Sequence, residues 1–146
     1  MSEQISIGVG AVVFRDGDVL LIKRGKPPFE GQWSIPGGGL EHGERLTGAV
    51  IREVREETGV EIRILGLLDV FEGLPDETGH PHVVMIDYVA EWVSGDPIAG
   101  DDALEAEFVS LEEARSRLAW DLTRRAVAQA AAWRADFHAK RVQARS

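Results

Sequence analysis

One run of 23 residues, at positions 38–60, constrains this chain more than any other part of its sequence. If residues 45–58 form a helix, Glu53, Glu56 and Glu57 stand at positions i, i+3 and i+4, so three carboxylates share one helix face. Like charges at that spacing repel one another, and a bound divalent cation removes the conflict. Oxygen ligands of this kind suit Mg²⁺ or Mn²⁺, and such Mg²⁺ sites usually serve a phosphate substrate. The alternative is a solvated acidic helix face with ordinary ion pairs.

The elements around this run alternate between strand and helix patterns. β-rich apolar segments at residues 5–14 and 19–23 are separated by Asp16-Gly17, which predicts a hairpin. A flexible glycine loop is expected at Gly37, Gly38 and Gly39 before the helix, and Gly59 is a good residue to end that helix. Further strands are predicted at residues 62–71, 82–92 and 107–109, and further helices from Ser110 and over residues 122–142. This order predicts an α/β or α+β sandwich.

The spacing within the run resembles the signature of the Nudix hydrolases. That signature reads Gly-x5-Glu-x7-Arg-Glu-U-x-Glu-Glu-x-Gly-U, where U is a bulky aliphatic residue. The chain fills every fixed position of it, with Gly38, Glu44, Arg52, Glu53, Val54, Glu56, Glu57, Gly59 and Val60. The preceding segment, residues 33–37, also resembles the family. The resemblance implies an α/β/α sandwich with a mixed sheet between helices, and a Mg²⁺-dependent hydrolase of pyrophosphate bonds.

The resemblance also assigns expected roles to residues of the run. Glu53, Glu56 and Glu57 would be the metal ligands, and the Gly37 carbonyl is a further ligand in some relatives. Arg52 and Glu44 would hold those carboxylates in place, because an arginine four residues before a glutamate can bind its carboxylate. Gly38 would lie against the substrate.

The general base is left open by the sequence. Glu53 is the first candidate, because some relatives use it, whereas others use a glutamate outside the signature. Here the acidic segment at residues 101–107, expected to be a loop, offers Asp102 and Glu105 as a fourth metal ligand or as the base. A plain solvated acidic loop is the alternative.

Substrate contacts are expected at a few residues outside the signature. Arg24 ends the second strand, where similar enzymes place a basic residue against the substrate phosphate, although a surface cation would look the same. Trp33, Phe71 and Trp120 could stack on a base, and core or rim packing is the alternative for each.

The substrate itself is indicated only weakly. Pro75 lies fifteen residues beyond Val60, close to the position at which relatives that act on ADP-ribose carry a proline. This favours ADP-ribose or a nucleotide sugar. The alternatives are a (d)NTP pyrophosphatase, including one that cleanses oxidised nucleotides, and a catalytically inactive nucleotide-binding module. Such modules usually lose glutamates of the signature, and this chain keeps all of them.

Composition narrows the setting. The 146 residues fit one domain, 1–146, and the chain has 44% hydrophobic residues and no cysteine. No apolar run is long enough to span a membrane, and the N-terminus lacks the basic start of a secretory signal, so a cytoplasmic protein is expected. The net charge of −9 argues against a nucleic-acid partner but not against a small nucleotide. Trp133 and Phe137 on the last helix would form a homodimer interface or pack on their own domain.

Overall fold

The computed structural model describes residues 4–27, 29–75 and 81–145. Within these residues the chain forms seven strands in one mixed sheet, together with three helices. The strands are β1 (Ser6–Arg15), β2 (Asp18–Arg24), β3 (Trp33–Ser34), β4 (Gly37–Gly39), β5 (Glu61–Gly73), β6 (Val83–Ser94) and β7 (Ala103–Ser110). The helices are α1 (Leu46–Thr58), α2 (Leu111–Arg117) and α3 (Asp121–Ala144).

Strand β1 organises the sheet. It runs parallel to β6 from Ser6 to Phe14 and pairs antiparallel on its other side with two different strands. The start of β1 pairs with β4, and the end of β1 pairs with β2 through the Asp16-Gly17 turn. Beyond that turn β2 pairs with β3 and β7, while β5 lies on the far side of β6. The mixed sheet and the hairpin predicted from the sequence are both confirmed.

The two faces of the sheet carry separate apolar clusters, because side chains alternate along each strand. On one face, Val9 and Ala11 of β1 pack with the stripe Ala49, Val50 and Val54 of α1. The opposite cluster joins Val12 and Phe14 of β1 and Leu21 of β2 to Ala126, Val127 and Ala130 of α3. Helices therefore cover both faces, as the expected sandwich requires.

Helix α1 is stopped by its glycine. Gly59 adopts a left-handed backbone with φ of 72° and its N–H donates to the Arg55 carbonyl at 2.9 Å. A residue without a Cβ is favoured in this conformation, so the helix end predicted from the sequence is confirmed.

Trp133 of helix α3 packs against the apolar cluster that contains Ala126 and Ala130, and it lies over Gly66 of β5. This contact is the packing on its own domain that the sequence left as one alternative.

Two local predictions were wrong. Residues 37–39 form strand β4 rather than a flexible loop, because Gly37 lets the chain approach β1 so closely that a Cβ would lie 2.3 Å from the Val9 carbonyl oxygen. Residues 103–107 belong to strand β7 rather than to an acidic loop, and Glu105 pairs with Lys23 of β2. In both places a distant strand partner outweighed the local polar or glycine-rich composition. In the described part of the chain, no helix combines the length and apolarity needed to cross a membrane.

Candidate active site

Arg52 is the hub of the polar network on α1. Its Nε and Nη2 donate to the two carboxylate oxygens of Glu44, at 2.7 and 2.9 Å, which is a bidentate ion pair. Its Nη1 donates to Glu53 at 2.8 Å and to Glu56 at 3.2 Å, and Nη2 also reaches the Gly39 carbonyl at 3.3 Å. The hydrogen bond from Arg52 lowers the pKa of Glu44. One guanidinium thus links three carboxylates of the signature, and Glu44 rather than Glu56 is the bidentate partner.

Glu57 is the most buried carboxylate of the signature. Its exposed fraction is 6%, and its Oε1 accepts a hydrogen bond from the Gly37 N–H at 2.7 Å. Burial is the main cause that raises the pKa of Glu57 to about 8, while the Gly37 hydrogen bond lowers it and the nearby charge of Glu53 raises it again. Without a bound cation, burial and the charge of Glu53 therefore favour the neutral form of the Glu57 carboxyl group near pH 7.

Glu53 lines the same cavity as Glu57, and its carboxylate is also partly buried. Burial raises the pKa of Glu53, against the opposing effect of the Arg52 hydrogen bond, and the charges of Glu56 and Asp101 raise it further. Gly38 of β4 lies directly over this carboxylate, since a Cβ on Gly38 would be 2.4 Å from its carboxyl carbon. The glycine at this position of the signature leaves the space that the Glu53 carboxylate occupies.

Glu53 and Glu57 open into a cavity of about 290 Å³, which we call the acidic cavity. Its wall also contains two aspartates, two basic side chains and the backbone of β4; the side chains are Asp101, Asp102, Arg24 and Lys26. Asp102 forms an ion pair with Lys26 at 2.5 Å. Within the residues that the structure describes, no three His, Asp or Glu side chains converge as a ready-made metal cage.

Two other candidates from the sequence, Glu56 and Glu105, lie outside the wall of this cavity. Glu56 is not part of its wall, and 44% of its side chain is exposed beside Arg52. Glu105 also lies outside the wall and pairs with Lys23 at 3.5 Å on the sheet surface. Asp101, which belongs to the acidic segment but was not one of its two preferred candidates, lines the cavity with a left-handed φ of 51°. The acidic pair Asp101-Asp102 was the available signal.

A second cavity of about 230 Å³ adjoins the first, and we call it the apolar pocket. It shares Arg24 and all three residues of β4 with the acidic cavity. The aromatic candidates from the sequence converge here with other apolar side chains: Trp33, Phe71 and Trp120 with Phe29, Ile35 and Met85. The ring of Trp33 also carries the Arg117 guanidinium at 4.7 Å, and the ring of Trp120 lies 5.0 Å from that of Phe29.

One carboxyl group in the apolar pocket was missed entirely by the sequence analysis. Asp87 of β6 is 4% exposed, and its Oδ1 has no hydrogen-bond partner within the described residues. Burial raises the pKa of Asp87 to about 7. An available signal was its alternation with Met85 and Val89, which places an acid on the apolar face of a buried strand.

The NUDIX domain model matches residues 5–131, so the chain belongs to the Nudix family. It is 40% identical over 116 residues to an ADP-ribose pyrophosphatase from Methanocaldococcus jannaschii. The matched stretch covers 80% of this chain and 68% of that protein.

Two solved structures show the same fold. A MutT NUDIX hydrolase from Burkholderia pseudomallei is 34% identical with a TM-score of 0.74, over 86% of this chain and 98% of that one. The NUDIX domain of NrtR from Shewanella oneidensis, complexed with ADP ribose, is 27% identical with a TM-score of 0.70, over 87% and 86%. The expected class, a Nudix hydrolase with a mixed sheet between helices, is confirmed.

Proposed function

We propose that the protein hydrolyses the pyrophosphate bond of a nucleoside diphosphate linked to another group, with ADP-ribose as the substrate, and that it uses Mg²⁺ or Mn²⁺. The observation that carries this proposal is the shared wall: Arg24 and β4 line both the acidic cavity and the apolar pocket. A pyrophosphate held at that wall would have a carboxylate cluster on one side and an aromatic pocket for its base on the other. The choice of ADP-ribose is supported by the name of the archaeal relative and by the ligand of the NrtR complex.

The acidic cavity fits a divalent cation. Burial raises the pKa of both Glu53 and Glu57, and negative charges raise it further, those of Glu56 and Asp101 for Glu53 and those of Glu53 and Asp101 for Glu57. Hard oxygen donors that repel one another in this way suit Mg²⁺ or Mn²⁺. We assign Glu53, Glu57 and the Gly37 carbonyl of the cavity wall as groups that would hold the ion. Glu56, which lies outside the wall and shares Arg52 Nη1 with Glu53, is assigned as a further ligand. When bound, the ion neutralises the phosphate charge that otherwise repels a nucleophile.

The remaining roles are assigned to the chain's own side chains. Arg52 fixes the orientation of Glu53 and Glu56 through the hydrogen bonds of its Nη1. Arg24, at the junction of the two cavities, is placed to bind a phosphate oxygen. Glu53 is our choice of general base, because partial burial makes its carboxylate more basic and it faces the acidic cavity. Asp102 is the second candidate; Lys26 holds its carboxylate at 2.5 Å, as Arg52 holds that of Glu53 at 2.8 Å.

The test is product release from a substrate panel at millimolar Mg²⁺, with and without chelator. The panel holds ADP-ribose, a nucleotide sugar, ATP, dGTP and oxidised dGTP. We expect AMP and ribose phosphate from ADP-ribose, abolished by chelator, and the same activity in the control variant Glu105→Gln, which changes an exposed acid outside the cavity wall. Pyrophosphate released from a triphosphate, with ADP-ribose left intact, would contradict the substrate. An absence of turnover on all five compounds would contradict the proposed activity.

A further inference from the structure

The starting point is the unpartnered carboxyl oxygen of Asp87. It is a side-chain atom fully shielded from solvent, and the described residues provide no hydrogen-bond donor or acceptor for it. Native structures pair nearly all such atoms, so an exception calls for a physical explanation. The metal-binding groups do not provide one, because Asp87 lines the apolar pocket and not the acidic cavity.

The neighbouring strand β1 places no side chain against this oxygen. Strands β1 and β6 are in parallel register, with Gly8 beside Met85 and Gly10 beside Asp87. A Cβ on Gly10 would lie 2.7 Å from Asp87 Oδ1, so any larger residue at that position would cover the oxygen. Gly10 and Asp87 both line the pocket. The missing side chain at Gly10 therefore leaves room beside a buried polar atom of the pocket wall.

The chemistry of the carboxyl group indicates its ligand. Burial without a neighbouring cation favours the neutral acid, as the raised pKa of Asp87 also indicates. A neutral carboxyl group offers one donor and one acceptor side by side. Adenine presents the complementary pair along its N7 edge, because the N6 amine donates beside N7, which accepts. On the same edge hypoxanthine and guanine present two acceptors, O6 and N7, which leaves the acceptor of the acid unpaired.

We propose that Asp87 determines the base specificity of the apolar pocket, by forming two hydrogen bonds to an adenine base through its amine and an adjacent ring nitrogen. The proposal rests on the proposed function in one respect, since it takes the apolar pocket as the base site of the nucleotide. The aromatic and apolar side chains around the pocket supply contact area for any base. Asp87 supplies the discrimination between bases, because a buried polar group left unpaired weakens the binding of the wrong one.

The test is equilibrium binding, so that it does not depend on hydrolysis. AMP, IMP and GMP are titrated by calorimetry into the wild type, Asp87→Leu, Asp87→Asn and a control, Asp69→Asn. Leucine is close in shape and has no polar atom, whereas asparagine keeps a donor and an acceptor. Asp69 lies opposite Asp87 in the β5–β6 register but is exposed and bonded to Gln129 at 2.9 Å.

We expect the wild type to bind AMP at least about tenfold more tightly than IMP or GMP. Asp87→Leu should bind all three within about twofold, while Asp87→Asn and Asp69→Asn keep the preference for AMP. Equal binding of AMP and IMP by the wild type would overturn the proposal, as would a preference that survives in Asp87→Leu. Tighter binding of GMP would overturn the choice of adenine. If AMP selectivity holds but ADP-ribose is not cleaved, only the proposed function fails.

Discussion

Two buried carboxyl groups line the two cavities that share strand β4, and they differ in their neighbours. Glu57 faces the acidic cavity, where a backbone N–H, a second glutamate and Arg24 all influence its charge. Asp87 faces the apolar pocket, where burial alone raises its pKa. Both titrate near neutral pH, at about 8 and about 7. Two similarly buried carboxyl groups thus suit different ligands. The surroundings of Glu57 suit a cation, whereas those of Asp87 suit a neutral group that forms hydrogen bonds.

The largest expected effect is the loss of activity when Glu57 is changed. Glu57→Gln should lower kcat by at least about 100-fold, since even residues that only support a metal ligand cost 10–100-fold when changed. The fold should persist, because a glutamine oxygen can still accept the Gly37 N–H bond. Steady-state kinetics and a melting curve measure the two effects, with Glu105→Gln as the control. Near-normal turnover in Glu57→Gln would remove Glu57 from the metal site.

The next effect concerns stability and belongs to Asp87. Its pKa is about 7 in the folded protein and about 4 when unfolded, so folding favours the protonated form. Stability is therefore lost as pH rises from about 4 through about 7, on the order of 4 kcal/mol for this group. Asp87→Asn removes that loss.

Urea unfolding from pH 4 to 8 measures this effect. The stability of Asp87→Asn relative to the wild type should grow across that window and level off above it. The comparison with the variant is necessary because the raised pKa of Glu57 adds its own loss of stability toward pH 8. A difference that stays constant with pH would show that Asp87 titrates normally.

A smaller effect is expected from neighbouring glycines of β4. A methyl group on Gly38 would displace the Glu53 carboxylate, whereas a methyl group on Gly39 would meet no atom within 4 Å. Gly38→Ala should therefore raise the Mg²⁺ concentration needed for half-maximal activity about tenfold, and Gly39→Ala should leave it as in the wild type. Activity measured against Mg²⁺ concentration distinguishes the two. The same response in both variants would mean that Gly38 has no special relation to Glu53.

The residues of helix α1 beside the acidic cavity were more predictable from the sequence than those around the apolar pocket. Helix α1 was predictable, and so was the contact of Arg52 with Glu56, because residues four apart are neighbours on a helix surface. Strand β4 was not, since its conformation depends on pairing with β1, almost thirty residues earlier in the chain. Asp87 was missed for a related reason. The alternation along β6 marked it as an acid on an apolar strand face, but its burial also requires β1 and the aromatic wall to meet there, which depends on residues far apart in the chain.

The most direct test of the account is thermal unfolding of the metal-free protein as Mg²⁺ is added. An ion that binds only the folded state raises Tm, by about 2–4 °C for each kcal/mol of stabilisation in a chain of this size. We predict a rise of several degrees at millimolar Mg²⁺ for the wild type and for Asp87→Asn, and little or none for Glu57→Gln. An unchanged Tm in the wild type, or an equal rise in Glu57→Gln, would contradict the assignment of the acidic cavity as the metal site.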